Sequence, residues 1–255
     1  MKYFNILFLA VLFFSACKEI AEPPPIPSSN LAEYIAENPD SRLVRDSLIA
    51  CAASMADVMV EFPIAIFFLP EGGASNFRYF ETENIEADNS DLGNYEEMEL
   101  GTEPVFNGYL RRFPRPAISA NTWGIVSYKR EDGNIYISNP IRLKYNDLPT
   151  EHNSDLVTID QTESLSPFFT WEDGSIDENE IYFQVISEDN GDLLSGTYTY
   201  DKSFRFYDVS NVVLNIRDVT PAPMLENGKE YGFLLMAVSV DNWVNLVIEK
   251  GFTVE

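Results

Sequence analysis

Between residues 47 and 254 the chain is a succession of short aromatic and β-branched runs, each broken after a few positions by Gly, Pro, Asn or Asp. Such runs suit a pleated, half-buried surface and such breaks suit turns, which restricts the chain to an all-β fold. In the first half, strands are expected near 47–55, 61–69, 76–83, 104–113, 121–130 and 134–145. In the second half they are expected near 155–160, 166–171, 180–187, 195–200, 203–207, 211–216, 229–239 and 245–254. The segment from Phe62 to Leu69 is too apolar for a surface strand and should cross the core. Glu131-Asp132-Gly133-Asn134 reads as a tight hairpin turn, Asp-Gly supplying the positive φ that such turns need. One short helix is expected over Leu31–Glu37, capped by Asn30 and stopped by Asn38-Pro39.

The segment from Tyr145 to Asp155 carries Asn146, Asp147, Pro149, His152 and Asn153, the composition of a domain boundary. It divides the strands into two bodies of about 100 residues, each the length of one immunoglobulin-like sandwich. In the second body, Leu225, Gly228 and Tyr231 follow at intervals of three. This spacing resembles the tyrosine corner of fibronectin type III and related sandwiches, where the Tyr hydroxyl ties back to upstream backbone. Trp171 stands where such domains keep a core tryptophan. In the first body the corner is degraded, with Ile118, Asn121 and Trp123 in a comparable place. The resemblance implies two tandem Greek-key β-sandwiches, over 31–148 and 149–255, as divergent copies.

The N-terminus carries a different kind of information. Lys2 precedes an apolar run from Ile6 to Phe14, then small Ser15 and Ala16, then Cys17. The run is too short to span a bilayer and suits the apolar part of a secretory signal over 1–16. Phe-Ser-Ala-Cys resembles the lipobox of bacterial lipoproteins, with Phe14 in the place where Leu is commonest. The relaxation is familiar in the Bacteroidota. The resemblance implies a thioether-linked diacylglycerol on Cys17 and a further acyl chain on its amine. More than one chain holds a protein firmly to a membrane. The alternative is an ordinary signal peptide cut near Cys17 without lipid. Residues 17–30 form a tether, with four prolines in five positions favouring extended polyproline II. Glu19 and Glu22 resemble a surface-export signal, from which Lys18 departs. The expected location is the outer membrane, lipid-anchored and facing outward.

Composition limits the chemistry. A net charge of −24 opposes nucleic-acid binding, which draws on Lys and Arg. With Cys17 lipidated, Cys51 has no disulfide partner. It sits in an apolar run and lacks a basic neighbour to activate it, so it reads as a buried structural thiol. His152 is the only histidine, too few for a zinc site. A Ser-His-Asp triad would have to use it, and no nucleophile elbow is present. Glu71-Gly72-Gly73-Ala74-Ser75 lacks the lysine of a phosphate loop. Carboxylates are plentiful, and a glycosidase would need two of them across a cleft. No catalytic residues, cofactor or metal site are therefore assigned. Adventitious calcium is left open at Asp88–Asp91 and Asp173–Glu180, neither of which has EF-hand spacing.

Two features suggest binding. Trp243, with Asp241 and Asn242, lies in the loop before the last strand, where the indole is either a ligand contact or a buried side chain. Tyr198 and Tyr200 share a strand face and read as sheet packing. Arg111, Arg112 and Arg115 follow an interval holding nine acids and no base. They form either a docking surface for a protein or a charged edge beside a mobile acidic loop. The leading expectation is a non-catalytic, lipid-anchored surface protein binding a glycan or an envelope protein through its loops. The alternatives are an accessory subunit of an outer-membrane uptake, secretion or motility complex, and a glycoside hydrolase.

Overall fold

Asn30 caps a short helix: its side-chain oxygen accepts the Glu33 N–H at 2.9 Å. The computed structural model describes residues 30–57 and 59–255. Helix α1 (Leu31–Ala36) places Leu31 and Tyr34 three residues apart, hence on one face, and both are buried. Ten strands follow in the first sandwich: β1 (Leu43–Leu48), β2 (Ala50–Ser54), β3 (Ile64–Phe68), β4 (Ser75–Glu81) and β5 (Glu96–Met98). The rest are β6 (Glu103–Val105), β7 (Leu110–Arg115), β8 (Thr122–Lys129), β9 (Ile135–Ser138) and β10 (Ile141–Leu143). Sheet I has the order β1-β9-β8-β4-β5, with β10 also on β8, and sheet II has the order β2-β3-β7-β6.

The second sandwich holds β11 (Glu151–His152), β12 (Val157–Asp160), β13 (Phe168–Trp171), β14 (Ile181–Glu188) and β15 (Leu193–Thr199). It continues with β16 (Ser203–Arg205), β17 (Val212–Asn215), β18 (Glu230–Val238) and β19 (Val244–Thr253). Sheet III runs β11-β19-β18-β14-β15-β17, and sheet IV runs β12-β13-β16. The chain is therefore an all-β protein of two sandwiches, and strands pass between the two sheets of each in Greek-key fashion.

The two sandwiches follow one plan. Strands β2 and β3 pair in sheet II as β12 and β13 do in sheet IV. The antiparallel order β9-β8-β4-β5 in sheet I matches β19-β18-β14-β15 in sheet III. In each case the leading strand, β1 or β11, lies parallel to the strand at one end of this run, β9 or β19. Both leading strands escape sequence reading: Leu43-Val44-Arg45-Asp46-Ser47 is too polar to stand out, and β11 is two residues long.

Four apolar layers order the stack. Leu31 and Tyr34 of α1 pack on Phe80, Ile125, Ile135 and Ile137 on the outer face of sheet I. Ile64, Ile66 and Phe68 of β3 meet Tyr79, Val126 and Tyr128 between sheets I and II. Phe169, Trp171, Tyr231, Phe233 and Leu235 fill the space between sheets III and IV. The remaining layer lies between the sandwiches, where Cys51, Ala53, Phe67 and Leu110 meet Phe183, Tyr198, Met236 and Val238. Sheet II is thus covered on both faces, which is why the Phe62–Leu69 segment lacks polar alternation.

The boundary segment is correspondingly tied down. Ser54 and Thr150 bond reciprocally: Thr150 Oγ1 accepts the Ser54 N–H at 2.8 Å and Ser54 Oγ accepts the Thr150 N–H at 2.7 Å. Thr150 Oγ1 also donates to the Val244 carbonyl at 2.8 Å. The acidic interval after β4, expected as a mobile loop, is likewise built into the fold. Buried Tyr95 donates its hydroxyl proton to the Asn89 carbonyl at 2.8 Å, and the Trp123 indole N–H donates to the Ile85 carbonyl at 3.1 Å.

Candidate functional site

The turn Ser239–Trp243 between β18 and β19 is a docking element between the sandwiches. Trp243 is 0% exposed and belongs to the core between sheets I and II, in the other sandwich. Its indole N–H donates to the Leu148 carbonyl at 2.9 Å. The reading of Trp243 as an exposed ligand contact is therefore corrected: the buried alternative holds, because the neighbouring domain supplies the apolar pocket that its own loop lacks. Asp241 meets Lys144 at 2.8 Å and Arg142 at 3.9 Å, both from the first sandwich. Asn242 donates its amide to the Pro140 carbonyl at 3.0 Å, and its own carbonyl accepts the Ala52 N–H at 3.0 Å.

The three arginines do not form one docking surface. Residues alternate faces along β7. Arg111 and Arg115 therefore lie on the side of core Phe113, and Arg112 on the opposite side. Arg111 stacks over Phe77 at 4.9 Å and donates to Thr102 Oγ1. Arg115 grips Glu81 with two bonds of 2.9 and 3.0 Å, where Glu81 is only 4% exposed. Burial works against the Arg115 charge, but Glu81 outweighs it and holds the guanidinium above its ordinary pKa. Arg112 pairs with Glu103 at 2.9 Å. All three are occupied within the chain, so the sequence cluster is a set of separate intramolecular pairs.

The structural residues of the second sandwich form the corner geometry. Tyr231 is buried and its hydroxyl accepts the Glu226 N–H at 2.9 Å. Gly228 takes a φ of +78°, Leu225 is buried, and the Gly228 N–H donates to the Val254 carbonyl at 2.8 Å. Trp171 packs against Tyr182 with ring centroids 5.5 Å apart. Tyr198 stacks on Phe183 at 4.5 Å within the inter-sandwich layer, whereas Tyr200 is exposed. Cys51 lies in that same layer, and burial pushes its thiol up to about 12.

The oxygen-rich loops are committed to turns and pairs. Asp88 accepts the Ser90 backbone N–H at 2.9 Å and its hydroxyl at 2.7 Å. Asp173 accepts from Tyr182 Oη at 2.7 Å and Asn179 at 2.9 Å, and it pairs with Lys202. Among the described residues no group of three or more His, Cys, Asp or Glu side chains is placed to hold a metal ion. His152 Nε2 lies 2.9 Å from the Ser54 carbonyl, a further link across the boundary. Cys17 and the proline-rich tether fall outside the described residues.

One groove brings loops of both sandwiches together. It encloses about 480 Å³ and is lined by Arg45, Asn89, Trp123, Asn139 and the Val240–Asn242 turn. Trp123 is the residue that sequence reasoning placed at the degraded corner. It is the second residue of β8, as Tyr231 is of β18, but its side chain belongs to the outer face of sheet I, where it packs beside Ile125 and Ile137. Its N–H is already spent on Ile85, leaving a half-buried, fixed indole. The side chains of Asn89, Asn139 and Arg45 have no hydrogen bond or ion pair among the described residues. Asp241 and Asn242 line the same groove, with their polar groups engaged as above. The site thus offers an aromatic platform, two uncommitted amides and one uncommitted guanidinium. These groups donate and accept several hydrogen bonds beside an apolar plane.

No protein-family model matches the sequence, and no curated protein matches it. Several solved structures show similarity. One is the glycoside hydrolase domain of Endo-D from Streptococcus pneumoniae R6, with 8% identity and a TM-score of 0.29 over 81% of this chain and 33% of that one. A second is the set of fibronectin(III)-like modules of CbhA from Clostridium thermocellum, with 10% identity and a TM-score of 0.25 over 84% of this chain and 90% of that one. A third is β-glucuronidase from Ruminococcus gnavus, with 8% identity and a TM-score of 0.23 over 74% of this chain and 36% of that one. This chain spans about a third of the length of the first and third.

Proposed function

We propose that this chain is a non-catalytic binding protein of the cell envelope that holds a saccharide in the Trp123 groove. One observation carries the reading: a fixed indole sits beside the unspent polar groups of Asn89, Asn139 and Arg45. A sugar ring presents an apolar face and a rim of hydroxyls, which matches that combination. The groove is open and is shaped by five separate chain segments, as loop-built ligand sites on rigid sandwiches are. On this reading the Ser239–Trp243 turn serves the site indirectly. It holds Asp241 and Asn242 against the first sandwich and so closes one wall.

The experiment is binding of the full chain to a panel of immobilised neutral and acidic oligosaccharides, followed by calorimetry on any that are retained. Trp123→Ala and Asn139→Ala are expected to weaken binding at least tenfold while leaving the circular-dichroism spectrum unchanged. Silence across the panel, or binding indifferent to Trp123→Ala, overturns the reading. The proposal extends to location, with Cys17 lipidated, residues 17–30 a tether, and the body outside the outer membrane. Cys17→Ala is expected to release the protein from membranes, and protease added to intact cells is expected to remove the wild-type body. Retention of the variant, or protection of the body, defeats that part alone.

A further inference from the structure

The core of the first sandwich opens at one end. There sheets I and II part around a mouth of about 410 Å³, walled by residues of β4, β5, β7 and β8 and by the loop from Ala117 to Ala120. Alternation along the strands decides which side chains reach it. Tyr79 and Met98 oppose each other across β4 and β5 and face the core between the sheets, so Glu81 and Glu96, opposed two positions away, face the same side. On β8, Val126 and Tyr128 face that core, and Thr122 shares their side. The Thr82 N–H donates to the Trp123 carbonyl at 2.9 Å, which brings Glu83 to the level of Thr122. Glu81, Glu83, Glu96 and Thr122 all line the mouth, and Met98 and Ile118 supply an apolar wall.

The charges there do not balance. Among the lining residues Arg115 is the one cation, and it spends its guanidinium on Glu81 and the Pro116 carbonyl. Glu96 stands opposite Glu81, a pairing of like charges that is destabilising. Glu83 and Glu96 are exposed and have no side-chain partner among the described residues. The neighbouring cations are engaged elsewhere: Arg111 on Thr102 and Phe77, Lys144 on Asp241, and Arg78 on Glu97. An independent observation also calls for a ligand. Thr122 is only 7% exposed, and its hydroxyl has no hydrogen-bond partner among the described residues. A buried hydroxyl left unpaired weakens a fold unless something satisfies it.

We infer that this mouth binds a primary alkylammonium group. An ammonium carries three N–H donors, which match three acceptors: the carboxylates of Glu83 and Glu96 and the hydroxyl of Thr122. The methylenes behind the nitrogen lie on Met98 and Ile118, as the stem of a lysine lies on apolar surface. A metal ion finds too few ligands, since among the described residues no group of three or more His, Cys, Asp or Glu side chains is placed to hold one. The same chemistry is offered by a free amine and by the lysine side chain of a peptide. The site is independent of the Trp123 groove.

The probes are 1-aminopentane, its neutral counterpart 1-pentanol, and N-acetyl-lysine methylamide, each titrated into the full chain and followed by heteronuclear NMR. Saturable shifts at Met98, Ile118 and Thr122 are expected with the amines and not with the alcohol. Tighter binding of 1-aminopentane assigns the site to free amines, and tighter binding of the lysine derivative assigns it to peptides. Glu83→Gln and Glu96→Gln, both at exposed positions, are each expected to weaken binding at least fivefold with the melting temperature unchanged or raised. Thr122→Val is expected to weaken it as well. Glu99→Gln, exposed and outside the mouth, is expected to leave it intact. No saturation at tens of millimolar amine, equal binding of the alcohol, or indifference to both Glu83→Gln and Glu96→Gln overturns the inference. So does an equal loss in Glu99→Gln, because the attraction would then be that of the whole acidic surface.

Discussion

The Trp243 indole N–H donates to the Leu148 carbonyl at 2.9 Å, fastening a side chain from the second sandwich inside the core of the first. Trp243→Ala leaves a large cavity there and is expected to cost about 3–5 kcal/mol. Because the residue bridges two hydrophobic cores, the wild type should unfold in urea in one transition, coincident by fluorescence and circular dichroism. Two resolved transitions in the wild type, or a loss below about 1 kcal/mol in the variant, would contradict this account.

The arginines of β7 should separate in energy although they adjoin in sequence. Arg115→Ala strands the buried Glu81 carboxylate and is expected to destabilise by about 2–4 kcal/mol. Arg112→Ala breaks a more exposed pair and should cost less than about 1 kcal/mol. Denaturant midpoints of the two variants decide the matter, and equal midpoints would refute the assignment.

Acid should act through Asp173. Burial raises its carboxyl pKa, but Lys202, Tyr182 and Asn179 outweigh burial and hold it below the ordinary value. A depressed folded pKa means that the stabilisation is complete above the unfolded value, about 3.9, and is lost as pH falls through the folded one. Stability should therefore decline below about pH 4, and Asp173→Asn should flatten part of that decline. A variant with the wild-type slope across this range would show that other carboxylates carry it.

Cys51 should be chemically silent in the folded chain. Burial between sheets II and III pushes its thiol up to about 12, leaving almost no thiolate at neutral pH. In a Cys17→Ala chain, Ellman's reagent at pH 8 is expected to find no reactive thiol until guanidinium is added, and then one. Prompt reaction without denaturant would mean that the inter-sandwich layer opens readily.

The strands were legible where one period ruled. Tyr231, Phe233, Leu235 and Ala237 alternate with their neighbours along β18, and Leu225 and Gly228 stand at fixed intervals before them. Asn30 was legible as a cap because it precedes Leu31 and Tyr34 at helical spacing. The contact between sandwiches was not legible, because Cys51, Phe67 and Met236 carry the same apolar signature as ordinary core and sequence does not say which layer each enters. Trp243 was ambiguous for the same reason: its pocket lies in a different domain, about a hundred residues away in sequence. Trp123 carried a weak signal, standing where the Leu-Gly-Tyr spacing fails. The arginine cluster misled because adjacency along a strand separates side chains to opposite faces.

The stacking of the two copies is head-to-tail, since sheet II of one meets sheet III of the other and sheet III is built like sheet I. A contact of that type does not close on itself and would propagate into a filament if both ends stayed open. Helix α1 covers the face of sheet I on which a further unit would dock. At the other end, sheet IV turns Thr158, Asp160, Phe168, Thr170, Ser203 and Arg205 outward, a mostly polar surface on which Arg205 lies over the Phe168 ring at 4.9 Å. The six-residue helix, slight as it is, therefore occupies the face of sheet I that a terminal cap covers in a repeat array.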